Sequence, residues 1–294
     1  MSVSEPLTTY LELRQSSESG AAVEGLSHKA GGLFLLHVLE IAAQGEPRAG
    51  VTLVHDAGDH GARHLDTARF LAAAHFAVAL PDLRGHGKSE GERGHSAGFI
   101  EVARDLDAVQ DHLAYRLPVA PKVQIGIGLG ALYAASYALE KPGHVAALVL
   151  VAPRWRPRFE LPANPGGLMK LFKKLSPSAA GRIGNDPACL LADARAASAW
   201  SADPLVHDVI TVRAAQEAQA LAARVEARLR ELRLPVLIVC GTDDRYSDVE
   251  LNRSLAHANI EVHAVAGARH DVLHDLGWET TLDSIAKFLE RALG

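Results

Sequence analysis

The chain has 294 residues, of which 48% are hydrophobic, enough to bury a sizeable core in one large α/β domain or two smaller ones. A formal net charge of −5 argues against a nucleic-acid binder, and the two cysteines, Cys189 and Cys240, are far apart in sequence, so no disulfide framework is expected. No apolar run approaches the roughly 20 residues of a membrane span, and residues 1–14 lack the apolar stretch of a secretory signal, so we expect a cytoplasmic protein without a transmembrane segment.

Short apolar runs alternate with longer helical patterns along most of the chain. An antiparallel strand over Leu33–Ile41 is predicted to precede a parallel series at 51–55, 76–80, 123–126, 145–151, 236–240 and 260–265. Predicted helices lie between the strands, at 62–73, 100–115, 129–139, 249–257 and 282–293. Unbroken apolar strands of this kind are typical of a parallel sheet that helices cover on both faces.

The alternation stops between residues 154 and 232, where the strand pattern disappears and a helix-like run over 212–232 ends the stretch. We predict a helical cap at 154–232, inserted into a discontinuous core formed by 1–153 and 233–294. Within the cap, apolar side chains at helical spacing oppose a row of lysines. This pattern fits either a lid helix with weak membrane-surface contact or a short helix packed on the core. The apolar residues are Leu168, Leu171, Phe172 and Leu175, and the lysines are Lys170, Lys173 and Lys174.

A glycine-rich turn at residues 126–130 is the most informative motif. It reads Gly-Ile-Gly-Leu-Gly between a predicted strand and a predicted helix, which is the setting of a G-x-S-x-G nucleophile elbow. The position of the serine is Gly128, which adopts a strained turn without a Cβ penalty but has no atom to attack an acyl carbon. The same string is a weak signal for a nucleotide site, since it does not meet G-x-G-x-x-G.

Polar or glycine-rich segments follow the predicted strands, at 55–60, 82–91, 241–245 and 267–270. In open α/β sheets, ligands bind at these carboxyl ends. The residues Gly128, Asp244 and His270 occur in the chain order nucleophile, acid and base, which is the order of α/β-hydrolases. Asp243 is the neighbouring alternative acid.

On these motifs the chain resembles the monoacylglycerol lipase/lysophospholipase branch of the α/β-hydrolase fold, of serine aminopeptidase S33 type. Residues 82–91 match D-x-R-G-H-G-x-S-x-G in full, residues 203–206 match D-P-L-V, and residues 55–60 align with H-G-x-G-E-H. The resemblance implies a mostly parallel central sheet flanked by helices, with a helical cap, no cofactor and no metal. It implies Asp244 as the acid, His270 as the base, and the backbone N–H groups of Ala57 and Leu129 as oxyanion donors.

Three residues depart from this family pattern around one pocket. Gly128 replaces the serine, Ile127 replaces the preceding histidine, and Asp56 replaces the first glycine of the oxyanion loop. A carboxylate at Asp56 disfavours a developing oxyanion if it points inward. We therefore expect a non-hydrolytic protein that binds an acyl or other apolar small molecule, or a partner. The alternative is an ester hydrolase or lyase in which His270, oriented by Asp244, activates water.

Some polar residues allow other interpretations, which we weigh against structural roles. A cluster near residue 60 has side chains suited to metal binding, but two of them coincide with family positions that have no metal role, so no metal site is predicted. Ser89 lacks an elbow and is not expected to be a nucleophile, and Cys240 is predicted to be a buried strand residue. The cluster consists of His55, Asp56, Asp59, His60 and His64.

Overall fold

A computed structural model describes residues 5–14, 33–96, 98–162 and 179–294. The strands are β1 (Leu7–Arg14), β2 (Leu33–Ile41), β3 (Ala49–Val54), β4 (Phe76–Pro81), β5 (Lys122–Ile127), β6 (Ala147–Val151), β7 (Ala180–Arg182), β8 (Val209–Thr211), β9 (Val236–Gly241) and β10 (Ile260–Val265). Eight of them form one sheet in the order β1-β2-β4-β3-β5-β6-β9-β10. β1 pairs with β2 and β2 with β4 in antiparallel register, while the pairs from β4 to β10 are parallel.

Helices cover both faces of this sheet. They are α1 (Leu65–Ala73), α2 (Phe99–Arg116), α3 (Leu129–Glu140), α4 (Pro187–Leu190), α5 (Ala194–Ala202), α6 (Val212–Arg228), α7 (Val249–Ser254) and α8 (Trp278–Leu293). On β6, Val149 packs in one apolar cluster with α1 and α8, whereas Leu148 and Leu150 pack in another with α3 and α6. Successive strand residues point to opposite faces, so the apolar runs in the sequence are unbroken because both faces are buried.

The predicted fold class is confirmed, while several details differ from prediction. The edge strand β1 was not predicted, since one face is open to solvent and Tyr10 is 52% exposed there. The expectation that residues 154–232 lack strands is wrong, because β7 and β8 form an antiparallel pair. Each has three residues, too few for a periodic pattern to register. Helix α8 begins at Trp278, four residues before its predicted start.

Residues 152–235, here called the inserted segment, leave the sheet after β6 and return to it at β9, the neighbouring strand. The described part of this segment contains β7, β8 and α4 to α6. Backbone hydrogen bonds join it to the rest of the chain, among them those from His207 N–H to the Gly58 carbonyl (2.9 Å), from Thr211 N–H to the Gly94 carbonyl (3.1 Å) and from Asp271 N–H to the Leu190 carbonyl (2.9 Å). The amphipathic pattern at 168–175 lies outside the described residues.

The helices of the described ranges include none that is both long enough and apolar enough to cross a bilayer.

Candidate active site

Gly128 forms the sharp turn between β5 and α3. Its backbone angles are φ 58° and ψ −114°, a combination that residues with a Cβ adopt only at a cost. A Cβ at Gly130 would lie 2.2 Å from the Val54 carbonyl oxygen, so a glycine there lets α3 begin close against the end of β3. The strand, turn and helix follow one another as the sequence predicts, with residue 128 at the bend.

His270 and Asp244 meet beside this turn. The Nδ1 atom of His270 lies 3.0 and 2.9 Å from the two Asp244 carboxylate oxygens. Asp244 Oδ1 also accepts hydrogen bonds from the backbone N–H groups of Tyr246 (2.7 Å) and Ser247 (3.0 Å), which fix the carboxylate. Asp243 is exposed and contacts Thr242 instead, so the carboxylate that faces His270 is Asp244.

The imidazole of His270 is buried, which lowers its pKa, but the Asp244 charge and the hydrogen bonds to Asp244 and Asp56 outweigh burial. The nearby Arg154 opposes them, and the net result is a raised pKa. This environment favours the imidazolium form of His270.

Asp56 points into the site. Its Oδ1 accepts a hydrogen bond from the backbone N–H of Leu129 (2.7 Å), one of the two predicted oxyanion donors. Arg154 contacts the carboxylate with two nitrogens, Nε at 3.1 Å from Oδ1 and 2.9 Å from Oδ2, and a terminal guanidinium nitrogen at 2.7 Å from Oδ2. The Nε2 of His270 lies 3.3 Å from Oδ2. Asp56 therefore points inward, which is the condition under which we expect its carboxylate to disfavour an oxyanion.

This carboxylate fills the volume that a side chain at residue 128 would need. A Cβ built on Gly128 would lie 2.1 Å from both Cγ and Oδ1 of Asp56, and 2.4 Å from Oδ2. Real Cβ atoms do not approach other heavy atoms this closely, so Asp56 in its present place and a side chain at residue 128 exclude each other.

Burial alone would raise the pKa of the Asp56 carboxyl. The positive charge of Arg154 and the contact with His270 outweigh burial, so the pKa lies well below its usual range and Asp56 is ionised. Arg154 is itself 2% exposed, and it also contacts Asn185 Oδ1 (2.8 Å) and stacks over the ring of Tyr246. The site therefore contains a buried, charge-balanced ion pair.

Arg154 is the residue that sequence reasoning missed. Arg154 lies three residues after Val151, the last residue of β6, and therefore at the same carboxyl edge of the sheet as the other candidate residues. Its place after a strand end is a signal that could have marked Arg154 as a site residue. The family pattern gives it no role, and residue 154 is interpreted from the sequence only as the start of the predicted cap.

Ala57, the second predicted oxyanion donor, lies between two small cavities. The apolar one has a volume of about 30 Å³ and is lined by side chains that include Leu129, Tyr133, Ile210 and Ala214. The other, of about 20 Å³, adjoins His270 and Asp56. A water needs roughly 10–15 Å³ on this measure, so neither cavity has room for more than a few water molecules as it stands.

The side chains weighed for a metal site are engaged by other protein groups. His55 contacts the Asp56 carbonyl through Nδ1 and accepts the Leu83 N–H at Nε2. His60 contacts Asp203, in the D-P-L-V segment, and His64 contacts Asp59. Across the described ranges, no three His, Cys, Asp or Glu side chains are grouped so as to hold a metal ion.

Polar contacts within the loop at residues 82–91, and from the loop to neighbouring elements, hold it in place. Arg84 makes two hydrogen bonds to the carboxylate of Asp105, at 2.7 and 2.6 Å. Ser89 is buried, donates to the Asp82 carbonyl (2.6 Å) and accepts the His37 N–H (2.8 Å). These contacts give the loop a structural role.

Cys240 is buried in β9, where burial raises the pKa of its thiol to about 11 and disfavours the thiolate.

Comparisons with known proteins agree with this architecture. A family model described as serine aminopeptidase, S33, matches residues 45–277. The chain is 26% identical to a monoacylglycerol lipase of Mycolicibacterium smegmatis over 250 residues, which cover 83% of this chain and 89% of that protein. It is 30% identical to a monoglyceride lipase of Mus musculus over 213 residues, covering 69% of this chain and 68% of that protein.

Among solved structures, the monoacylglycerol lipase of Paleococcus ferrophilus aligns with a TM-score of 0.74 at 26% identity, covering 87% of this chain and 99% of that one. The family match spans well over half of the sequence, and the shared fold extends over nearly all of the solved relative. The chain therefore belongs to the serine aminopeptidase S33 family and has the α/β-hydrolase fold of the monoacylglycerol lipases to which it is similar.

Proposed function

We propose that this protein is a non-hydrolytic member of its family, which keeps the lipase-like frame and binds an acyl or other apolar small molecule. One observation carries the proposal: the Asp56 carboxylate occupies the place of a nucleophile side chain and takes up the N–H of Leu129. A substrate carbonyl oxygen would have to displace an ionised carboxylate to reach that donor. Transition-state stabilisation of an oxyanion is the largest single contribution in this chemistry, so its loss compounds the absence of a nucleophile.

Asp56 is a poor substitute for the serine. Its two oxygens accept hydrogen bonds from Leu129, Arg154 and His270, so few lone pairs are available for attack. Its pKa lies well below the usual carboxyl range, which also makes the carboxylate a weak nucleophile. The bidentate contact with Arg154 supports a structural role for Asp56, as a fixed anion.

The apolar cavity beside Ala57 and Leu129 is the proposed ligand site. Its lining is predominantly apolar and it adjoins the inserted segment through Ile183 and Ile210. Ligand pockets in proteins measure roughly 300–1,000 Å³, so an acyl chain would enter only after the surrounding side chains or the inserted segment moved apart. Binding by such a site is accordingly expected to be accompanied by a conformational change.

A second candidate is ester hydrolysis through water activated by His270. The contact between His270 and Asp244 supports it, because a carboxylate on Nδ1 orients an imidazole for base catalysis. Two features count against it. Asp56 engages Nε2, the atom that would take the proton, and the raised pKa favours an imidazolium, which cannot act as a base.

Ester hydrolysis by the native chain and by His270→Ala separates these candidates. We expect no labelling of the native chain by a fluorophosphonate probe and no turnover of 1-decanoylglycerol or p-nitrophenyl esters, with the lipase of M. smegmatis assayed alongside as the active reference. Removing the nucleophile of a well-studied serine protease lowers kcat by about 10⁶-fold. Turnover that disappears in His270→Ala would favour the water mechanism, and labelling of the native chain would overturn the proposal.

A further inference from the structure

The polar groups around Asp56 have the composition of an anion-binding site. They come from three separate parts of the fold: the first N–H of α3 at Leu129, the guanidinium of Arg154 after β6, and His270 after β10. Asp56 approaches them from a fourth place, the end of β3. Backbone N–H groups at a helix start, a guanidinium and a protonated imidazole are the donors that bind carboxylates in proteins.

These donors are held in place by groups other than Asp56. Arg154 contacts Asn185 through a hydrogen bond of 2.8 Å, and its guanidinium carbon lies 4.6 Å from the ring centre of Tyr246. Asp244 fixes His270 on the opposite side of the imidazole. The N–H of Leu129 is set by the turn at Gly128. The site is therefore expected to keep its shape when the Asp56 side chain is removed.

We propose that the elbow of this protein is a carboxylate-binding site whose occupant is its own Asp56, and that a small external carboxylate binds there when this side chain is absent. Acetate has the same carboxylate and adjoining carbon as an aspartate side chain, so it fits the volume that Asp56→Gly vacates. Asp56 is 7% exposed, which leaves a route from solvent. Removing Asp56 would also leave Arg154 buried without its anion, and that unpaired charge attracts a replacement.

An anion site that Asp56 already occupies also restricts the class of ligand that the protein would bind. This step alone rests on the proposed function. In the native chain the donors are already satisfied by an internal anion. A ligand carboxylate next to the elbow would meet the negative charge of Asp56, which already engages the N–H of Leu129, Nε2 of His270 and two nitrogens of Arg154. The ligand of the native protein is therefore expected to be uncharged.

The experiment titrates Asp56→Gly with sodium acetate and sodium formate, with sodium chloride at matched ionic strength as the reference. We expect the thermal midpoint of Asp56→Gly to rise with acetate and formate, with a saturable dependence, and that of the native chain to stay constant. Adding Arg154→Met to Asp56→Gly should weaken acetate binding about tenfold or more, because a charge-assisted pair of hydrogen bonds is lost. A folded Asp56→Gly that responds no more to acetate than to chloride would overturn the proposal.

A second measurement covers the case in which Asp56→Gly does not fold. In Arg154→Met, with Asp56 intact, the positive charge that opposes protonation of His270 is gone. The pKa of His270, followed by NMR titration, should then rise above its native value, because the Asp56 anion is left with His270 as its main cation. An unchanged pKa would show that the three groups do not share one anion site. Both readouts are independent of ester hydrolysis, so the anion site and the proposed function can fail separately.

Discussion

Asp56 and a side chain at residue 128 compete for one volume, and this competition determines what a substitution at the elbow can do. With Gly128 in place, the carboxylate of Asp56 sits within bonding distance of Leu129 and Arg154. A Cβ at residue 128 would overlap it at 2.1 Å. Under the proposed function, the absence of a nucleophile and the inward carboxylate are therefore two aspects of one local arrangement, and we expect that changing residue 128 alone does not restore a nucleophile.

We expect Gly128→Ser to remain unreactive toward a fluorophosphonate probe and to be destabilised. The serine would displace Asp56 from Arg154, and the positive φ of residue 128 adds about 1–3 kcal/mol of strain for a residue with a Cβ. The double variant Asp56→Gly/Gly128→Ser removes the overlap and frees the N–H of Leu129. Its labelling should be faster than that of Gly128→Ser, as measured by the rate of probe incorporation and by urea unfolding.

Two controls sharpen this comparison. Adding His270→Ala to the double variant should abolish labelling, because the serine would lose its base. Adding Arg154→Met should slow labelling, because the guanidinium lowers the pKa of His270 and its removal favours the imidazolium, which cannot act as a base. Labelling of Gly128→Ser as fast as that of the double variant would show that Asp56 is not the obstacle.

At the scale of single elements, the strands with unbroken apolar runs were predictable from sequence, whereas elements defined by tertiary contacts were not. The strand over 260–265 is predicted at its observed bounds although Glu261 and His263 interrupt its apolar residues, because Gly267 marks its end. The short paired strands β7 and β8 were not predicted, because three residues are too few to show a hydrophobic period. Likewise, the sequence shows that Asp56 is unusual, but its inward direction depends on Arg154, almost 100 positions away in the chain, and no local pattern reports such a contact.

Helix α6 offers a test of the proposed ligand site on one element. Ala214 is buried and lines the apolar cavity, whereas Ala220 is exposed on the same helix. In Ala214→Leu the larger side chain should fill the cavity, abolish binding of 1-decanoylglycerol in a calorimetric titration, and cost about 1–3 kcal/mol through overpacking. Ala220→Leu should change stability by less than about 0.5 kcal/mol and leave binding intact.

Equal affinity of the native chain and Ala214→Leu for 1-decanoylglycerol would place the ligand elsewhere. Affinity lost in both leucine variants would point to a general effect of substitution in α6, and not to the cavity.

At the scale of the whole molecule, five histidines of the described ranges have shifted pKa values and divide into two groups with opposite effects on stability. Burial lowers the pKa of His64 and His86, and it lowers that of His207 to about 4, with the charge of Arg93 contributing. His270 and His274 have raised pKa values, because burial is outweighed by the carboxylates Asp244 and Asp271 respectively.

The sign of each contribution follows from proton linkage. A histidine with a lowered pKa binds fewer protons in the folded state than in the unfolded state, so it destabilises the fold progressively as the pH falls below about 6.5. A histidine with a raised pKa contributes stability that is complete below about 6.5 and is lost as the pH rises through its folded pKa. Of these two groups of histidines, the first therefore contributes the slope between pH 6.5 and 4, and it lowers stability as the pH falls.

The free energy of unfolding, measured by urea titration, should accordingly fall as the pH decreases from 6.5 toward 4. His207 contributes to this slope from the contact between the inserted segment and the loop after β4, where its ring centre lies 4.6 Å from that of His86. In His207→Gln the slope should be shallower, because the amide does not titrate, while His257→Gln removes an exposed imidazole as the matched control. A slope in His207→Gln as steep as in the native chain would mean that His207 is protonated in the folded state without cost. The contact between the inserted segment and the core would then not be the pH-sensitive part of the molecule.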